Sequence, residues 1–130
     1  MAILMILAFL GLATAQAAEP TGTLTLACQG KETDRGGVGT SSDEINIGVI
    51  VDFQKKTVLL SGDSETVPIT SISETTISFA ANEIGWVMNG TLDRVTGALV
   101  ASSIKFNPST QRTILSISLD LQCKPTQRMF

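Results

Sequence analysis

The chain has 130 residues, enough for one domain with a modest core and too few for two. Nine basic and twelve acidic residues leave a formal charge of −3, and the basic ones are scattered, so nothing draws the chain to a phosphate backbone and nucleic-acid binding is excluded. With no His and no Tyr, and with Cys28 and Cys123 paired, the usual general base, phenolic acid and thiol nucleophile are all missing, so no catalytic residue is expected.

From Ala2 to Ala15 the chain is almost wholly apolar, and it then passes through Ala17 and Ala18 into Glu19 and Pro20. An apolar run followed by small residues is the pattern of a signal peptide. Residues 1–18 are read as that segment, cleaved after Ala17 or Ala18, and residues 19–130 as a single all-β domain in the periplasm or outside the cell. A membrane anchor fits less well, because the apolar run is about 14 residues long and a spanning helix needs about 20. Leu26-Ala27-Cys28 does not make a lipidation box, since Thr25 stands where Leu is wanted and polar residues separate it from the apolar run.

The first strand of the domain carries Leu24, Leu26 and Cys28 on one face and Thr23, Thr25 and Ala27 on the other. Residues 31–43, which run from Lys31 through Gly36, Gly37 and Gly39 to Asp43, read as a long loop, either a flexible connection or a lid over one end. A phosphate cradle there would need a helix after the glycines, and a strand follows. Ile45, Ile47, Val49, Val51 and Phe53 alternate along that strand, and Gln54-Lys55-Lys56 turns it into a third, residues 57–62. Residues 67–72 and 76–81 form two shorter strands around the bend Ser73-Glu74-Thr75, with Pro68 confined to a strand start or an edge. Residues 86–92 then pair with 98–104 across a turn that Gly97 closes in the left-handed conformation. Which face of the second member is buried stays open, with Leu99 on one side and Val100, Ile104 and Phe106 on the other. The last strand is the clearest: Leu115, Ile117, Leu119, Leu121 and Cys123 alternate with Ser116, Ser118, Asp120 and Gln122.

Both cysteines point inward, one on the first strand and one on the last, in a chain bound for an oxidising compartment, so a Cys28–Cys123 disulfide is expected. It makes the first and last strands neighbours, and about eight antiparallel strands whose ends meet form an up-and-down barrel or a tightly joined sandwich.

Few residues stand out as candidates for chemistry. Trp86 is either a ligand platform or an ordinary core tryptophan. Asp43-Glu44 and Asp63-Ser64-Glu65 offer oxygen ligands to calcium but match no known loop spacing, and neither a metal nor a cofactor is expected. Asn89-Gly90-Thr91 fits the glycosylation pattern inside a strand and is read as coincidence. Phe130 ends the chain as aromatics end outer-membrane barrels, but Lys124, Thr126 and Arg128 stand where lipid-facing residues would be, and no membrane span is expected in the mature chain.

The ending Cys123-Lys124-Pro125-Thr126-Gln127-Arg128-Met129-Phe130, the stretch Gly90-Thr91-Leu92-Asp93-Arg94-Val95-Thr96-Gly97 and the early Leu-Thr-Leu-Ala-Cys strand resemble small secreted proteins of rhizobial-type alphaproteobacteria. That family has no assigned activity, so the resemblance implies a bacterial origin and a periplasmic or extracellular destination and carries over no functional residue. By elimination the expected function is a non-enzymatic module that binds a small apolar ligand inside the barrel or an envelope partner on its surface. A domain this small, with short strands, is expected to be filled by its own side chains. The alternatives are a glycan hydrolase using a carboxylate pair and a structural envelope component.

Overall fold

A computed structural model describes residues 21–37, 39–60 and 66–126 of the chain. The leader with Ala17 and Ala18, the acids Asp63 and Glu65, and Phe130 lie outside these residues. Eight antiparallel strands follow one another: β1 (Thr23–Gly36), β2 (Gly39–Asp52), β3 (Thr57–Leu60), β4 (Val67–Ile72), β5 (Thr76–Glu83), β6 (Trp86–Asp93), β7 (Ala98–Phe106) and β8 (Thr113–Pro125). Each pairs with the next and β8 returns to β1, so the sheet is a closed up-and-down barrel. Closure leaves no free sheet edge along the paired strands.

The disulfide joins the first strand to the last, as the alternation predicts. Cys28 and Cys123 sit directly opposite each other with Cα atoms 4.0 Å apart. The Cys123 N–H donates to the Gly97 carbonyl at 2.8 Å, away from β1, so across the β1–β8 ladder the two cysteines form the closely spaced, non-hydrogen-bonded kind of pair. Gly97 itself has φ 80°. Its turn is held by Asp93, whose carboxylate accepts the backbone N–H groups of Val95 (2.8 Å) and Thr96 (3.0 Å), while the Gln122 side-chain amide donates to the Thr96 carbonyl. The backbone N–H groups of Thr96 and Val95 hold the Asp93 carboxyl below its usual range.

The expected loop or lid over residues 31–43 is a hairpin instead. β1 and β2 pair continuously from Thr23↔Asp52 to Gly36↔Gly39, and β8 follows β1 as far as Leu115↔Gly36. Lys31, Thr33 and Arg35 occupy one face of β1, and Glu32 and Asp34 the other. With polar residues on both faces there is no hydrophobic contrast to reveal the period of two.

The buried face of β7 is also settled. Leu99 and Ala101 are buried, Val100 is 54% exposed and Ile104 36% exposed. A register shift between Lys105 and Phe106 takes Phe106 off the strand's alternation, so its place beside Val100 and Ile104 in the sequence pattern does not carry into the sheet.

Inward residues fill one half of the barrel. Leu26, Val49, Val51, Val58, Val67, Ile77, Phe79, Leu92, Leu99 and Leu121 are buried together, towards the end where the β2–β3, β4–β5 and β6–β7 turns lie. We call this the closed end and the opposite one, with the β1–β2, β5–β6 and β7–β8 connections, the mouth.

Two outcomes are expected from this architecture. Replacing both cysteines, Cys28→Ala with Cys123→Ala, removes a cross-link spanning 95 residues and lowers the unfolding free energy by about 4 kcal/mol in urea titrations; a loss under about 1 kcal/mol would mean that the β1–β8 ladder alone suffices for closure. For Asp93, a depressed carboxyl pKa stabilises the fold fully above the unfolded value of 3.8 and loses that contribution as pH falls through the folded value. Asp93→Asn therefore lowers the urea midpoint at neutral pH, and the gap from the parent narrows as pH falls below 3.8; a gap independent of pH would rule out the charge as its source.

Candidate functional site

At the mouth the inward side chains change character. Ala101 and Ser103 on β7 are too small to fill the bore, and the barrel opens into a cup of about 430 Å³. That size falls within the range of roughly 300–1,000 Å³ typical of small-ligand sites. The expectation of a wholly filled barrel thus holds for the closed half and fails for the mouth.

The division between the halves depends on one cross-strand pair. Phe79 on β5 lies directly opposite Gly90 on β6, and its ring occupies the space a side chain at position 90 would need, reaching towards Ala101 on β7. Above this septum Leu60, Met88, Ala101 and Leu119 form an apolar floor.

Trp86 stands at the top of β6, half-buried, as part of the cup wall. Its indole N–H donates to the Ser103 hydroxyl at 2.8 Å. Ser103 lies diagonally across the β6–β7 pair, since Met88 is its direct partner and Trp86 faces Lys105. The bond satisfies the ring's one polar atom and fixes the indole against the wall, leaving an apolar aromatic surface for a guest. Trp86 packs against the buried core and also lines the cup, a position compatible with both of its expected roles.

The rim is charged. Glu32 from β1, Glu83 from the end of β5 and Lys105 from β7 all line the cup, together with Ile117 of β8. Glu32 and Glu83 are distant in sequence and share the cavity only because closure brings β1 round to meet β8, so linear spacing held no sign of their convergence. Asp43 and Glu44, by contrast, are adjacent on an extended strand and point to opposite faces, so they do not converge on a cation. Among the described residues no three His, Cys, Asp or Glu side chains are placed to hold a metal ion. Asn89 is exposed within β6, flanked by β5 and β7.

No family model, curated protein or solved structure matches the chain. The cup is therefore read on its own geometry. A second concavity of about 480 Å³ lies on the outer surface, where the small residues Ala27 and Gly48 leave a trough between Gln29, Asn46, Gln122 and Lys124. It has no aromatic wall among its lining residues, whereas the interior cup combines apolar floor, aromatic wall and polar rim.

The septum is testable. Gly90→Ala overpacks the bore against Phe79 and is expected to destabilise the fold by about 1–3 kcal/mol. Adding Phe79→Leu to that variant relieves the overlap, so the two changes together destabilise less than the sum of the singles. Strict additivity in a double-mutant cycle would show that the ring and position 90 do not compete for space.

Proposed function

We propose that the protein is an exported, non-enzymatic barrel that binds a small amphipathic molecule in the mouth cup, its apolar part on the floor and its polar end at the rim. The observation that carries this reading is the co-location of Leu60, Met88, Ala101 and Leu119 with a half-buried Trp86 and the charged Glu32, Glu83 and Lys105 in one cup. The disulfide is compatible with an oxidising destination, and the leader-like residues 1–18 and the resemblance to secreted bacterial proteins support a periplasmic or extracellular location. The outward positions of β8 carry Ser116, Ser118, Asp120, Gln122 and Lys124 where a membrane barrel has its apolar band, which supports a barrel that does not span the bilayer.

A second reading has one observation in its favour: Glu32 and Glu83 share the cup, and a glycan hydrolase needs two carboxyls flanking the bond it cleaves. The floor argues against it. A sugar ring needs hydrogen-bonding groups around it, and Leu60, Met88, Ala101 and Leu119 offer none from their side chains.

Native and denaturing intact-mass spectrometry of protein purified from its own host's periplasm tests the proposal. A discrete added mass in the native spectrum, lost on denaturation and reduced by Trp86→Ala, is the expected result. A bare monomer, or an added mass that Trp86→Ala leaves in place, would sink it. Consumption of an oligosaccharide by the parent and not by Glu32→Gln or Glu83→Gln would favour the hydrolase instead.

A further inference from the structure

One row of the cup wall sets an aromatic ring between opposite charges. At the mouth end of β6, Trp86 lies directly opposite Glu83 on β5 and directly opposite Lys105 on β7, so the three side chains share one level and one face of the sheet. All three line the cup. Neighbouring strands run about 4.8 Å apart, so the backbone positions that carry the carboxylate and the ammonium stand roughly 10 Å apart with the indole between them. Both charged side chains are exposed, and no ion pair joins them. Glu32, the other acid of the cup, comes from β1 and is already engaged in an interaction of its own.

Each of the two charges has a neighbour that favours the same kind of guest. The face of an indole attracts an ammonium group, so Trp86 and Glu83 together suit a cation. On the other flank, Ser103 lies two residues before Lys105 on the same face of β7 and also lines the cup. Its hydroxyl oxygen accepts the indole N–H at 2.8 Å. A hydroxyl donates as well as accepts, so its own hydrogen is left for an anion held by the Lys105 ammonium. Deeper along the same strands, Met88, Ala101 and Leu119 present apolar side chains to the cup.

Resting on the reading of the cup as a ligand site, we infer that its guest is a zwitterionic amphiphile. Its head lies across Trp86 with the cation at Glu83 and the anion at Lys105 and Ser103, and its alkyl chain runs down to Met88, Ala101 and Leu119. A guest of single charge meets one attractive and one repulsive partner within the same row. A dipolar head of the phosphocholine type, with its two charges a short distance apart, satisfies both at once.

Four probes that share an octyl chain separate the contributions: octylphosphocholine, octyltrimethylammonium, octyl sulfate and octanol, titrated into the purified protein at neutral pH and low salt. Trp86 is the sole tryptophan, so its emission reports on this row directly. Octylphosphocholine is expected to bind tightest, about threefold tighter than octyltrimethylammonium, which lacks the anion, and about tenfold tighter than octyl sulfate, which lacks the cation and its contact with the indole. Within Lys105→Gln the first gap closes, and within Glu83→Gln the second narrows, because each variant removes one half of the match. Any other probe binding as tightly as octylphosphocholine overturns the zwitterionic assignment and leaves the cup as a ligand site. If none of the four shifts the emission, the cup reading itself falls, and the inference with it. The ranking is measured on the parent protein alone, so a variant that fails to fold does not obscure it.

Discussion

The pairing of β1 with β8 is the constraint from which the rest of the structure follows. Every other strand contact joins neighbours in sequence, and pairings of that kind form locally. The β1–β8 ladder alone must bring together residues on the order of a hundred positions apart, and it sets the radius of the barrel and the level at which each inward residue meets the others. The Cys28–Cys123 bond locks that register at one point, and the ladder continues from there to Leu115↔Gly36 at the mouth. Without it Glu32 would not stand beside Leu119, and the cup would lose the one residue that β1 contributes to it.

Inside the closed sheet, the distribution of side-chain size decides what topology cannot. Large β-branched and aromatic residues are concentrated towards the closed end, where Val49, Val51, Val58, Val67 and Ile77 exclude water completely. The smaller Ala81, Ala101 and Ser103 follow in the mouth half of the same strands. A single ring, that of Phe79 laid over Gly90, marks the transition. The cup is space left open by short side chains, and it needed no change in strand number or tilt.

How much of this could be read in the sequence depended on contrast. β8 and the first half of β1 alternate apolar with polar, and so their faces, the inward cysteines and the closure of the barrel were legible. The outer half of the β1–β2 hairpin alternates too, between cations and anions; to a hydrophobicity pattern Lys31, Glu32, Thr33, Asp34 and Arg35 all look the same. β7 was ambiguous because Val100 and Ile104 are apolar yet outward, and only its neighbours' register shows that Leu99 and Ala101 face the core. The site stayed hidden for a different reason. Its members come from β1, β3, β5, β6, β7 and β8, and what unites them is an absence of bulk that no single segment displays.

The septum at Phe79 and Gly90 carries a consequence for how such a protein diverges. Leu60, Met88 and Ala101 serve both the buried core and the cup floor, whereas Glu32, Ser103 and Lys105 line the cup without belonging to the core. Substitutions at Glu32, Ser103 or Lys105 can accumulate without eroding the core that supports them, since none of these side chains belongs to it. If the cup is a ligand site as proposed, its polar rim is the part that can change without cost to the core, and variation in a lineage built on this scaffold should be concentrated at those rim positions.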